Sequence, residues 1–174
     1  EYDEFTMKRL ALAALLAVVP AGAFHAQGSS PKSASDEANR AKDFTMKDLD
    51  GKNISLSDYR NKKVVIMDFW ATWCGPCRMA MPALQSFQQK HAKHVEVLSI
   101  NQLENAERVA AFVKANNLQL HVLLDQDGAV SSAYRVFGIP TLYVVDKTGI
   151  LRQKYVGYRQ DLEQLLEQVI TPLL

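Results

Sequence analysis

The stretch Val64-Val65-Ile66-Met67-Asp68-Phe69-Trp70-Ala71-Thr72-Trp73-Cys74-Gly75-Pro76-Cys77-Arg78 joins two different periodicities. Val64 to Trp70 is an almost unbroken apolar run, the pattern of a central strand covered on both faces. From Pro76 to about Lys90 the apolar residues Met79, Ala83 and Phe87 recur at helical spacing. Cys74-Gly75-Pro76-Cys77 therefore falls where a strand ends and a helix begins. Unpaired N–H groups and the helix dipole stabilise an anion at that place. A thiolate is such an anion, and in motifs of this kind its pKa falls from about 8.5 towards roughly 7. Cys77 comes one helical turn after Cys74 and faces the same sulfur. Pro76 suits the first turn, where its missing N–H costs nothing. These are the only two cysteines of the chain. A disulfide closing so short a loop removes little entropy from the unfolded chain, so the pair reads as chemistry or a metal site rather than a staple.

Outward from this motif the elements alternate. Phe44–Lys47 and Asn53–Ser55 flank Asp50-Gly51, a hairpin turn signal. Val95–Ile100 reads as a strand, Glu104–Ala115 as a helix, His121–Leu124 as a strand and Ala129–Val136 as a short helix. Thr141–Val145 and Ile150–Val156 form a hairpin around Asp146-Lys147-Thr148-Gly149, and Asp161–Ile170 is a final amphipathic helix. Strands alternating with helices imply parallel pairing with helices on both faces. The late hairpin adds antiparallel strands, so the expected class is α/β with a central mixed sheet. No internal repeat is present.

The N-terminal part has another character. Met7-Lys8-Arg9, then apolar Leu10–Val19, then Ala21-Gly22-Ala23 follow the order of a secretory signal peptide. The apolar stretch is short for a spanning helix, which needs about 20 residues. Residues 7–26 are expected to be a cleaved signal or an N-terminal anchor. Residues 27–42 (QGSSPKSASDEANRAK) are polar and small and read as a flexible linker. The folded domain is expected over 43–174.

Asp68-Phe69-Trp70-Ala71-Thr72-Trp73-Cys74-Gly75-Pro76-Cys77, continuing to Pro82, resembles the active-site segment of the thioredoxin superfamily, and Gly138-Ile139-Pro140-Thr141 resembles its cis-proline loop. The N-terminal hairpin, the helical insertion after Ile100 and the signal segment are similar to exported TlpA/ResA-like thiol–disulfide oxidoreductases. The resemblance covers about residues 43 to 170. It implies a thioredoxin-like fold, a redox-active disulfide between Cys74 as nucleophile and Cys77 as buried resolving thiol, and a cis peptide bond before Pro140. It also implies that the backbone at Ile139 and Pro140 pairs with an extended substrate. Trp73, Gly75 and Pro76 are then the rim of a docking surface, and Pro82 is structural.

Two acids stand near the motif. Asp68 lies six residues before Cys74 in an apolar strand; burial raises a carboxyl pKa, and a carboxyl raised towards neutral can take the proton of Cys77. Glu104 matches a second acid of the TlpA/ResA-like group, but Asn101-Gln102-Leu103-Glu104 also reads as a capping box with Asn101 as cap.

Other functions fit less well. The net charge of +1 gives no electrostatic case for nucleic acid. Zinc shared with His91 and His94 fails on distance, since 14 residues of helix at about 1.5 Å each separate Cys77 from His91 by roughly 20 Å. A peroxidase of the peroxiredoxin type would place its cysteine in a Thr-x-x-Cys arrangement that this motif lacks. A non-catalytic binding module is the remaining alternative. No cofactor, metal or nucleotide motif is evident. The expected function is reduction of protein disulfides outside the cytoplasm, by a monomer supplied with electrons by a membrane donor. Apocytochrome c thiols are one candidate substrate, and a disulfide donor or isomerase is the alternative direction. The Gly75-Pro76 dipeptide favours the reducing direction, being that of thioredoxin, whose potential is about −270 mV.

Overall fold

The computed structural model describes residues 34–174. The expected signal segment over 7–26 and the first part of the linker lie outside the described residues. The rest of that linker departs from expectation. Ala34–Ala38 form a short helix, α1. Arg40 then makes an isolated bridge with Ile150, and the Ala41 N–H donates to Gly149 O at 2.9 Å. Ala41 is buried. The polar composition of 34–42 hid a partner more than 100 residues away, and among the described residues regular structure is present ahead of the expected boundary at Asp43.

Seven strands form one sheet: β1 (Thr45–Asp48), β2 (Asn53–Ser55), β3 (Val64–Trp70), β4 (Val95–Gln102), β5 (His121–Asp125), β6 (Thr141–Val145) and β7 (Leu151–Val156). Their order is β2-β1-β5-β4-β3-β6-β7. The three central strands β5, β4 and β3 are parallel, and β1, β2, β6 and β7 add antiparallel ladders at the two sides. The mixed sheet is thus the thioredoxin-like arrangement with its extra N-terminal hairpin.

All seven residues of β3 are buried, as a strand covered on both faces requires. Side chains alternate across the sheet. Val65, Met67 and Phe69 enter one core with Leu98, Ile100, Tyr134 and Tyr143. Val64 and Ile66 enter the other, against Ala80, Leu84 and Phe87 of α2 (Gly75–Lys90) and Leu162, Leu166 and Ile170 of α5 (Leu162–Ile170). The same alternation sends Asp68 and Trp70 to the α2 side. There Trp70 joins Cys74, Cys77, Met81, Val109 and Val122 in a third cluster at the end of the sheet.

Two helices start or end elsewhere than expected. The insertion helix α3 is Ala106–Ala115, capped by the Asn105 side chain, which accepts from the Arg108 N–H. It does not begin at Glu104, because β4 runs on to Gln102 and Asn101 pairs with Trp70. The capping-box reading of Asn101 and Glu104 is therefore overturned. Helix α4 (Ala129–Ala133) stops three residues early, before Arg135 takes a φ of 52°.

Candidate active site

Cys74 is the N-cap of α2, in extended backbone conformation, and its Sγ accepts a hydrogen bond from the Cys77 N–H at 3.1 Å. The two cysteines form a disulfide, with Cα atoms 5.3 Å apart. Both are buried, at 4% and 2% exposure, whereas Trp73 beside them is 65% exposed. Pro76 at the start of α2 is exposed and Gly75 half-exposed. Pro82 lies inside the helix. The Ile139–Pro140 peptide bond is cis, and Ile139 packs against the cluster that holds the two cysteines. The Pro140 carbonyl accepts from the Gly157 N–H at 2.8 Å, which ties the loop to the end of β7.

Asp68 is 2% exposed. Its one hydrogen bond comes from Ser99 Oγ at 3.4 Å, across the β3–β4 ladder, and its Oδ1 has no partner among the described residues. Burial pushes its pKa up to about 7, and the long Ser99 bond offsets little of that.

Glu104 is 9% exposed and meets opposite surroundings. Its carboxylate accepts from the Thr72 N–H and the Thr72 hydroxyl, both at 2.6 Å, and from Asn101 Nδ2 at 2.9 Å. Arg108 Nε lies 2.9 Å away. Burial raises the carboxyl, but these donors outweigh it and hold its pKa below the ordinary value. Glu104 thus grips the backbone two residues before Cys74.

Thr72, Arg108 and Ser99 were not singled out from the sequence, and Asn101 was read there only as a helix cap. Arg108 carried a usable signal, standing four residues after Glu104 on the coming helix; the others are brought in by strand pairing. His91 is drawn off by Glu167 of α5, 3.0 Å from its Nε2, at the far end of α2 from the disulfide. Among the described residues no group of three or more metal-ligating side chains converges.

A family model described as the AhpC/TSA family matches residues 38–154. The chain belongs to that family. The thioredoxin-like protein YneN of Bacillus subtilis is 37% identical over 136 residues, covering 75% of this chain and 79% of its own. The thiol–disulfide oxidoreductase ResA of Bacillus thuringiensis subsp. konkukian is 36% identical, over 76% of this chain and 77% of its own. The crystal structure of an exposed lipoprotein thioredoxin from Streptococcus pneumoniae superposes with a TM-score of 0.67 at 28% identity, covering 76% of this chain and 100% of that one. This AhpC/TSA member is accordingly a thiol–disulfide oxidoreductase of the TlpA/ResA-like kind. No helix among the described residues is long and apolar enough to cross a membrane.

Proposed function

We propose that the protein is an exported reductant of protein disulfides. The observation that supports this best is a nucleophile at a helix N-cap with a buried, unsatisfied carboxyl on the strand beneath it. In the reduced protein the Cys74 thiolate attacks a substrate disulfide. One substrate sulfur leaves and takes a proton, and the other stays bound to Cys74. Asp68 accepts the proton of Cys77, whose thiolate then attacks Cys74 Sγ. The substrate leaves as a dithiol with two electrons and two protons, and the protein returns to the Cys74–Cys77 disulfide.

In this reading Cys74, Cys77 and Asp68 carry the reaction. Ile139 and Pro140 present backbone to the substrate, Trp73, Gly75 and Pro76 form the rim, and Glu104 holds Thr72. The signal-like segment over 7–26 and the likeness to an exposed lipoprotein support a place outside the cytoplasm, cleaved or anchored. Disulfides persist there, so a dedicated reductant needs a membrane dithiol donor. Apocytochrome c thiols are a substrate of suitable chemistry.

The test is the equilibrium reduction potential of the pair, measured on the full chain in dithiothreitol and glutathione buffers. A value near about −250 mV or lower supports a reductant; a value near about −120 mV would show a disulfide donor instead.

A further inference from the structure

Seven large apolar side chains are exposed among the described residues. Five of them gather around the disulfide and the cis-proline loop. Trp73 and Met79 flank the cysteines on the α2 side. Phe137 stands two residues before Ile139 and is 94% exposed. Val156, 63% exposed, pairs with Thr141, and Tyr158 follows the Gly157 that donates to Pro140. A lone exposed apolar residue needs no explanation, but several on the adjoining elements that carry a reactive bond mark a contact surface.

Beyond Phe137 and Val156 the surface changes character. Lys154 Nζ reaches the Arg135 carbonyl at 3.5 Å and sits 5.0 Å from the centre of the Tyr143 ring. A groove of about 300 Å³ opens here, lined by Arg40, Lys42, Tyr134, Arg135, Tyr143 and Leu151. Arg40 is engaged by Glu37. Lys42, Arg135 and Lys154 form no ion pair among the described residues. The nearby Asp43 spends an oxygen on the Phe44 and Ser57 N–H groups. The groove therefore presents cations with no carboxylate in its lining.

We propose that Phe137 and Val156 form an apolar lip, and Arg135 and Lys42, with Lys154 beside them over the Tyr143 ring, a cationic groove behind it, that together select the substrate. The occupant is an extended, disulfide-bearing segment of a partner protein. It carries an apolar side chain next to the reactive cysteine and acidic residues a few positions further on. The lip adjoins the cis-proline loop, whose Ile139 packs on the cluster that holds the two cysteines, so a segment reacting with Cys74 reaches Phe137 before it reaches Arg135. An exposed aromatic anchor supplies contact area at low entropic cost, and unpaired cations add charge complementarity and speed encounter. This selection rests on the oxidoreductase reading given above.

Four synthetic peptides with one intramolecular disulfide test it: leucine or serine beside the cysteine, combined with two glutamates or two lysines further on. Reduced full-length protein is mixed with each, and peptide dithiol is followed in a single turnover. Wild type is expected to reduce the leucine–glutamate peptide about tenfold faster than the serine–lysine one, with the charge preference fading as salt is added. Phe137→Ser should collapse the leucine-to-serine ratio alone. The pair Arg135→Glu with Lys154→Glu should erase or invert the glutamate-to-lysine ratio alone. Each ratio is taken on one protein, so loss of folded material cancels. Equal wild-type rates on all four peptides, or ratios that the variants leave unmoved, would overturn the proposal. Wild type that fails even on a small aromatic disulfide would overturn the oxidoreductase reading beneath it.

Discussion

Asp68 at the end of β3 and Glu104 in the loop after β4 are both hidden carboxylates at one end of the sheet, and their neighbours drive them in opposite directions. Asp68 has one long bond and an unpartnered oxygen, and burial carries its pKa up to about 7. Glu104 accepts two bonds from Thr72 and one from Asn101 and lies against Arg108, and it is held below its ordinary value. Burial alone does not set the charge of an acid; the donors aimed at it do. Burial leaves Asp68 able to change its protonation near neutrality. Glu104 is a fixed anion that braces the chain entering the N-cap cysteine.

The largest expected effect separates the two on stability. Glu104→Ala strands the Thr72 N–H and hydroxyl, the Asn101 amide and the Arg108 charge. It should cost about 3–5 kcal/mol in urea unfolding of the oxidised protein. Asp68→Asn should do the reverse at pH 8. A carboxyl whose folded pKa is raised binds its proton more tightly in the folded state. Its burden is absent below the unfolded value near 4, grows as pH rises, and is complete above about 7. At about 1.4 kcal/mol per tenfold change in proton affinity, removing the charge is worth on the order of 2–4 kcal/mol. At pH 4 the gain should vanish. Two losses of the same sign at pH 8 would break the comparison. Glu104 follows the opposite slope: its stabilisation is present above the unfolded carboxylate value and is lost as pH falls through its lowered one.

The same pair is separated by kinetics. With Asp68 as the base for Cys77, release of the mixed disulfide should speed up as pH rises through about 7, where the carboxyl loses its proton. Asp68→Asn should slow release about 10²-fold at pH 7.5 and flatten that rise. Rapid-quench trapping of the Cys74 adduct measures it. An adduct that decays at the wild-type rate in the variant would remove Asp68 from the reaction. A smaller effect is expected at the exposed rim of the Glu104 network. Arg108 is 62% exposed in its side chain, so Arg108→Ala should cost only about 0.5–1 kcal/mol in the same unfolding assay.

The two acids also differ in how far sequence alone discloses them. Asp68 is legible because it interrupts an apolar run, and period-two alternation assigns it to the side of α2. Glu104 is only half legible: the family resemblance places it near the site, but Asn101-x-x-Glu104 also fits a local capping rule that a long-range one overrides. β4 gains more by continuing its ladder to Gln102 between β3 and β5 than by ending early to cap a helix, and Asn105 caps instead. The docking of Ala41 against Gly149 escaped for the same reason: its partner is remote in sequence. The Cys74–Cys77 disulfide and the cis Ile139–Pro140 bond were readable because short motifs that resemble the family's carry them. Thr72 was not, since only the fold brings Glu104 to it.

The other end of the parallel strands offers the contrast that completes the argument. There His121 of β5 stands 3.5 Å from both Glu96 of β4 and Asp48 of β1. Tyr59 OH lies 3.3 Å from its Nδ1, and Lys63 pairs with Glu96 at 2.7 Å. The cluster joins the N-terminal hairpin to the central strands. The Glu96 bond raises the His121 pKa first, against the burial that lowers it. A histidine raised in the folded state gives its full stabilisation below the unfolded value near 6.5 and loses it as pH climbs through the folded value. His121→Gln should therefore cost about 0.5–1 kcal/mol at pH 6, discounted for partial exposure, and progressively less as pH climbs through the raised folded value. Between pH 4 and 7 the wild-type decline in stability belongs to Asp68 and should disappear in Asp68→Asn. The decline above about 6.5 belongs to His121 and should survive that substitution. A single variant that removed both declines would mean that the two ends of the sheet titrate as one unit, and that neither carboxylate environment is as local as its hydrogen bonds indicate.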